Sequence, residues 1–117
     1  MTQEDKELLL KDLCGRLPYF NKVQIENEIV VLDSICDDDG YYFNFIGDNR
    51  EGVNIEKIKP YLFPLSSMDK KQRKYIRSNY TFGATYELFD WLDKNHFDYR
   101  GLIEKGLAID ATNKNIY

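Results

Sequence analysis

Five basic residues at helical spacing are the clearest candidate for chemistry with a ligand. At about 100° per residue, they share one face of a helix predicted over residues 68–79. They are Lys70, Lys71, Arg73, Lys74 and Arg77. Such a face can neutralise several phosphates, while Tyr75 or Tyr80 is available to stack on a base. The alternative is a solvated helix face that balances an otherwise acidic protein.

Residues 37–39 are three consecutive aspartates, which supply the oxygen ligands that Ca²⁺ or Mg²⁺ prefers. A calcium loop that begins at Asp37 needs Gly at its sixth position and Glu at its twelfth, whereas Tyr42 and Asp48 stand there. The following Gly40 instead makes an Asp-Gly pair, which is typical of a tight hairpin turn. We therefore predict a turn here and assign no metal ligand.

His96 is the single histidine, and Cys14 and Cys36 are the only cysteines. A Cys and His pair would supply a nucleophile and a base. Both cysteines, however, fall in predicted apolar or β-rich elements, where an inert thiol is expected. His96 lies near a predicted helix end, where it would interact with the terminal carbonyls. Because no Gly-rich phosphate loop, nucleophile elbow or paired-cysteine motif is present, we predict no catalytic residue, no cofactor and no enzyme.

Aromatic residues are dense in the middle of the chain. The candidate contact residues for a protein partner are Tyr41, Phe43, Phe45, Tyr61 and Phe63. In a small bent sheet some of these rings must face outward, and an exposed aromatic surface suits peptide recognition. The alternative is that the helices cover the sheet and bury most of the rings.

An amphipathic helix is predicted at the N-terminus. Thr2 followed by Asp5 is typical of a helix start, and Gly15 followed by Pro18 predicts its end. The apolar stripe consists of Leu9, Leu10, Leu13, Cys14 and Leu17, whereas the acidic side chains, Asp12 among them, lie elsewhere on the helix.

From residue 22 the hydrophobic period changes to two, which predicts strands at 23–25, 29–36, 41–46 and 53–55. Pro60 and Pro64 are expected to end regular pairing. These strands form a bent antiparallel sheet of three to five strands.

Two or three helices are predicted in the second half of the chain. Ser66 or Ser67 caps the basic helix, and Thr85 caps another that extends to Asn95. A short further helix covers residues 98–106, and a loose tail begins at about residue 110.

The chain has 117 residues, so it fits one domain, residues 1–117. Its net charge is -4 and its pI is about 5.0, so phosphate groups should repel the molecule as a whole. No apolar run reaches the ~20 residues needed to span a bilayer. The N-terminus lacks the pattern of a secretion signal, and only two cysteines are present, so a cytoplasmic location is expected.

Three segments, residues 4–19, 59–68 and 89–108, carry a resemblance to known sequences. With Trp91-Leu92 and the run from His96 to Ala108 as its most specific part, the chain resembles a family of short uncharacterised proteins of gut Bacteroides, often found in prophages or mobile elements. The resemblance implies a bacterial accessory protein. It transfers no functional residue, because the family has no assigned activity.

Together these observations predict an α+β domain with an N-terminal helix, an SH3-like, partly open barrel and C-terminal helices. The favoured function is a non-enzymatic module that binds a protein partner. The alternative is a nucleic-acid-associated accessory protein that uses the basic helix face.

Overall fold

A six-stranded sheet lies at the centre of the structure, and three helices flank it. The computed structural model describes residues 1–37, 40–80 and 86–117. The helices are α1 (Gln3–Arg16), α2 (Lys70–Asn79) and α3 (Tyr86–Lys94). The strands are β1 (Lys22–Ile25), β2 (Glu28–Asp37), β3 (Tyr41–Phe45), β4 (Ile58–Pro64), β5 (Phe97–Asp98) and β6 (Ile109–Asp110).

The strand order is β3-β2-β1-β4-β5, and β6 also pairs with β4. The first four strands pair in antiparallel fashion, whereas β5 and β6 run parallel to β4. The predicted α+β class, with an N-terminal helix, a mostly antiparallel sheet and C-terminal helices, is confirmed. The SH3-like barrel is not confirmed, because β3 and β5 stand at opposite ends of an open sheet.

Local sequence explains the first two hairpins. Val23 and Ile25 of β1 are buried and alternate with more exposed polar residues, and Ile25 pairs with Glu28 across a two-residue turn. In the second hairpin Asp37 pairs with Tyr41, although the other two aspartates of the predicted turn lie outside the described residues. The register shifts between positions 32 and 34 of β2, and such a bulge bends the sheet.

The start of α1 is as predicted, whereas its end and its buried face differ. Thr2 Oγ1 accepts from Asp5 N at 3.0 Å, and the Asp5 carboxylate accepts from Thr2 N. The helix continues through Gly15 to Arg16. Its buried residues are Leu9, Asp12, Leu13 and Arg16. The prediction placed Cys14 on the buried stripe, but Cys14 lies outside this inner face and is exposed. Two charged side chains, Asp12 and Arg16, are buried there instead.

The strand predicted at residues 53–55 is absent, and a 3-10 turn, Ile55–Lys57, starts there. Pro60 and Pro64 do not end pairing as expected, since both belong to β4. Pro60 pairs with Val23 of β1, and the pairing of β4 with β6 starts at the next residue, Tyr61. Proline is therefore tolerated here, because β4 pairs on only one side at this position and no N–H donor is needed on its other side.

Asp69, rather than Ser66 or Ser67, caps α2. Its carboxylate accepts from Gln72 N at 2.8 Å, and the Gln72 side chain accepts from Asp69 N at 3.0 Å. This reciprocal pair satisfies two N–H groups at the helix start, which a serine hydroxyl alone does not. Thr85, the expected cap of α3, lies outside the described residues.

The short helix expected at residues 98–106 is a series of turns instead. The Asp98 carboxylate accepts from the backbone N–H groups of Leu102 and Ile103, at 3.0 and 2.9 Å. Gly101 has a φ of 74°, which interrupts a right-handed helix. A carboxylate that binds nearby N–H groups thus replaces the helical hydrogen bonds here.

The segment expected to be a loose tail is anchored. Ala111 is buried, and its N–H donates to Leu62 O at 2.8 Å beside the pairing of β6 with β4. At the last residue, Tyr117 Oη donates to Tyr61 O at 3.0 Å and accepts from Lys22 N at 2.9 Å.

One hydrophobic core joins α1 to the sheet. Its buried members include Leu9, Leu13, Val23, Leu32, Ile58, Leu62 and Leu102. In the described part of the chain, no helix is both long and apolar enough to cross a membrane.

Candidate functional site

The outer edge of β3 is the most open part of the sheet. The strand pairs with β2 on one side and has no partner strand on the other among the described residues. Phe43 and Phe45 point into the core and are buried, whereas Tyr41 and Tyr42 are 52% and 51% exposed. The prediction placed Tyr41 on the same face as the two phenylalanines. At the hairpin end, however, about half of the surface of Tyr41 stays exposed.

A groove follows this edge and separates β3 from α1. Its walls are the start of α1, with Lys6, Glu7 and Leu10, the strand residues Tyr41, Tyr42 and Phe43, and residues 52–55. We call it the β3 groove; its volume is about 470 Å³. A second hollow, bounded by Tyr42, Phe43, Asn44, Glu51 and Gly52, shares residues with it. The free edge of β3 therefore faces a nearly continuous depression.

Ion pairs hold the walls of the β3 groove in place. Lys6 Nζ lies 2.9 Å from Glu56 Oε1, which ties α1 to the turn after residue 54, and this hydrogen bond lowers the pKa of Glu56. Arg50 binds Asp48 at 2.9 Å and Glu28 at 2.6 Å, which fixes the loop on the other side. Its hydrogen bonds lower the pKa of Asp48.

The charged residues that line the β3 groove are Lys6 and Glu7. Glu7 lines it from α1, and Glu51 lines the adjoining hollow. Lys6, the basic residue in the wall, is already paired with Glu56. A ligand in the groove therefore meets apolar and aromatic surface flanked by carboxylates.

The structure separates the five predicted contact residues. Three of them, Phe43, Phe45 and Tyr61, are buried in the core. Phe63 is half-buried on β4, where its ring lies 6.2 Å from that of Phe97, and Tyr41 stands at the far edge of the sheet. Of the five, only Tyr41 offers a largely exposed ring beside the groove. Tyr42, which belonged to the same aromatic run but was not chosen, is also exposed beside the groove.

The basic residues of α2 are where the prediction put them. Lys70, Lys71, Arg73, Lys74 and Arg77 are all exposed. The helix has no buried residue, and the Tyr75 ring stacks on Trp91 with centroids 5.6 Å apart. Its basic residues are therefore exposed, while the Tyr75–Trp91 stack is one of the contacts that dock the helix.

Among the described residues, no hydrogen bond joins His96 to either cysteine. His96 Nδ1 lies 3.1 Å from Asn21 Oδ1, and its ring stacks on Tyr117 with centroids 3.6 Å apart. Burial, together with the charges of Arg16 and Lys22, lowers the pKa of His96 to about 4. Although Cys14 is exposed, partial burial of its thiol raises the pKa of that thiol, which disfavours the thiolate. The expected contact of His96 with helix-end carbonyls is replaced by these two side chains.

A buried charge cluster was missed by sequence reasoning. Asp12 binds Arg16 at 2.9 Å and Arg100 at 2.8 Å, while Tyr99 Oη donates to Asp93 at 2.8 Å. Burial, followed by this hydrogen bond, raises the pKa of Tyr99 to about 12. The only advance signal was the i, i+4 spacing of Asp12 and Arg16. Because guanidinium groups already pair with both aspartates, we regard the cluster as structural.

No group of three or more His, Cys, Asp or Glu residues in the described ranges is arranged to hold a metal ion. No protein-family model matches the chain, and neither a curated protein nor a solved structure matches it. The resemblance to the short Bacteroides proteins therefore stays a prediction.

Proposed function

We propose that this protein is a non-enzymatic interaction module that takes an extended segment of a partner protein at the free edge of β3. The observation that carries the proposal is the outer edge of β3 beside the β3 groove, which has no partner strand among the described residues; its last residue, Phe45, forms a single bridge with Asp48. Proteins usually guard such edges with lysine, proline or very short strands. The five residues Tyr41–Phe45 contain neither a charge nor a proline.

The groove defines the chemistry of the partner segment. A strand added to β3 would form main-chain hydrogen bonds, and its alternate side chains would enter the groove beside Tyr42 and Val53. Glu7 and Glu51 favour lysine or arginine next to those apolar side chains. The occupant we propose is an extended, basic and apolar peptide segment.

Titration of the isotope-labelled full chain with two octapeptides tests the proposal. In both, valine alternates with threonine; lysine flanks one peptide and glutamate the other. We expect the lysine-flanked peptide to shift the amide NMR signals of β3 and residues 52–55, and to bind about tenfold more tightly, a difference of ~1.4 kcal/mol. Failure of both peptides to move the β3 signals would overturn the proposal.

A matched pair of variants localises the contact. Tyr42→Lys puts a charge on the free edge, which opposes strand addition, and should abolish binding. Tyr86→Lys changes a tyrosine that is 93% exposed on α3 and should leave binding unchanged. Equal loss in both variants would argue against the β3 edge.

The exposed basic face of α2 supports a second candidate function, contact with nucleic acid. Replacement of Lys70, Lys74 and Arg77 by glutamate should weaken retention on single-stranded DNA or RNA and flatten its salt dependence. A matched triple replacement of exposed lysines outside α2, Lys11, Lys59 and Lys105, by glutamate should not. Retention that the basic-face variant leaves unchanged would remove this candidate.

The biological setting is proposed on narrower grounds. A bacterial cytoplasmic accessory role, in a host or prophage system, rests on the resemblance of residues 89–108 and on the two cysteines, which are free thiols.

A further inference from the structure

A second cleft lies on the opposite part of the molecule from the β3 groove. It is bounded by the end of β4, the end of α3, the start of α2 and the C-terminal segment. We call it the C-terminal cleft; its volume is about 410 Å³, within the range of ~300–1,000 Å³ typical of small-molecule sites.

Aromatic rings form one side of the C-terminal cleft. Phe63 lies 5.9 Å from Tyr117 and 6.2 Å from Phe97, and Tyr117 stacks on His96. Tyr117 remains 42% exposed although its hydroxyl is anchored to the sheet. Lys22 Nζ also lies over the Tyr117 ring, 5.8 Å from its centroid, so the ring is held in place and only part of its surface stays open. Fixed rings of this kind are stacking surfaces for planar ligands.

The rim of the C-terminal cleft supplies hydrogen-bonding groups. Gln72 Oε1 accepts from Asp69 N, which leaves the Gln72 amide nitrogen as a donor. Thr112 and Asn113 contribute a hydroxyl and a second amide from the C-terminal segment. Side-chain amides can both donate to and accept from one planar edge.

The charge of the rim contrasts with that of the whole chain. In a protein with 20 acidic residues, none of the described side chains that line the cleft is Asp or Glu, and Lys94 is among them. The cleft therefore suits a neutral ligand or one that carries negative charge.

His96 adds an acceptor to the cleft. Asn21 Nδ2 donates to Lys22 O, so Asn21 Oδ1 is the acceptor that faces His96 Nδ1. This arrangement places the ring proton on Nδ1 and leaves a lone pair on Nε2. With its pKa lowered to about 4, mainly by burial, the imidazole is neutral at pH 7.

We propose that the C-terminal cleft binds a planar nitrogen heterocycle of the nucleobase type. Its ring lies against Phe63 and Tyr117, its edge is hydrogen-bonded by Gln72 and Asn113, and Lys94 neutralises an attached phosphate. A free nucleotide and a single-stranded nucleic acid present this same chemistry. The site is independent of the β3 groove, so either proposal can fail without the other.

The fluorescence of the full chain reports on the site, because Trp91 is the single tryptophan and stacks on Phe97. We would titrate adenosine, AMP and an eight-nucleotide oligoadenylate separately. A saturable change in fluorescence with AMP, together with weaker binding of adenosine, supports a free nucleotide as the ligand. An oligomer that binds at least about tenfold more tightly than AMP supports a strand. Absence of saturable binding by all three overturns the proposal.

Conservative variants show whether the cleft itself is responsible. Gln72→Glu keeps the acceptor for Asp69 N but removes the donor, and Asn113→Gly keeps a backbone φ of 63° while removing the amide. Each should weaken binding about fivefold or more, the loss of roughly one hydrogen bond. Lys94→Gln should weaken the binding of AMP and leave the binding of adenosine unchanged.

Tyr86→Ala is the control, because its ring stands 93% exposed on α3 outside the cleft. Thermal unfolding of every variant confirms that it folds. If the folded cleft variants bind as the parent does, the signal comes from elsewhere on the molecule and the proposal is overturned.

Discussion

Asp12 and Arg16 form an ion pair one turn apart on α1, with 2.9 Å between Oδ2 and Nε, and neither side chain has any exposure to solvent. Arg100 binds the other oxygen of Asp12, so one carboxylate bridges two guanidinium groups. Arg16 also donates to Phe97 O at 2.6 Å. The pair thus joins α1 to β5 through groups that water does not reach.

Removal of Asp12 should therefore be costly. Asp12→Ala removes the hydrogen-bonded carboxylate of buried Arg16 and leaves it only the longer contact with Asp93, 3.8 Å away. We expect a loss of about 3 kcal/mol in the free energy of unfolding. Urea unfolding at pH 7 measures it. Glu56→Gln is the matched control, since it breaks a more exposed ion pair, the one between Glu56 and Lys6 of α1, and should leave the urea midpoint nearly unchanged. Equal midpoints for the two variants would contradict this account.

The stability of the protein should fall as the pH drops from about 6.5 to 4. The native His96 has a pKa of about 4, against an ordinary 6.5, so the unfolded chain binds more protons within this window. At ~1.4 kcal/mol per pKa unit, the loss reaches up to about 3 kcal/mol. His96→Asn, which tolerates the positive φ of 63° at this position, should remove this part of the dependence in urea unfolding at several pH values. If the stability of the variant falls with pH in parallel with that of the parent, His96 is not the cause of the loss.

The Tyr117 hydroxyl should contribute to stability through its two main-chain hydrogen bonds. Tyr117→Phe keeps the ring on His96 but leaves Lys22 N without this partner, so we expect a loss of about 1 kcal/mol. Tyr117→Ala should cost more and increase amide hydrogen exchange in residues 109–116. Unchanged exchange in the alanine variant would show that β6 alone anchors the segment.

Tyr75 should control the docking of α2. Because this helix has no buried residue, Tyr75→Ala removes the stack on Trp91 and should speed amide exchange throughout α2. The cost in global stability should be only about 1 kcal/mol, the value of one aromatic pair. Tyr86→Ala on α3 serves as the control. Slow exchange in α2 of the Tyr75 variant would mean that other contacts hold it.

Elements that depend on nearby residues could be predicted from the sequence. The start of α1 follows from Thr2 and Asp5, and the β1–β2 hairpin follows from alternation around a two-residue turn. Asp98 shows the limit, because its carboxylate binds two N–H groups and produces turns where the hydrophobic pattern favours a helix. Spacing alone does not reveal which hydrogen bonds a short polar side chain will form.

Contacts between distant segments could not be predicted. The parallel pairing of β4 with β5 and β6 joins residues far apart in the chain, and Asp12 meets Arg100 only in the folded protein. The same holds for the site. Alternation correctly paired Phe43 with Phe45, but only the packing of α1 decides that these rings are buried while Tyr42 stays open.

The independence of α2 from the core has a consequence for how this protein can evolve. A helix that contributes no side chain to the interior can accumulate mutations without loss of folding, so selection can rewrite its surface charge quickly. By contrast, any change at Asp12 must be matched at Arg16 and Arg100. Sequence differences among related proteins should therefore concentrate on this helix, where a change of surface charge has little effect on folding stability.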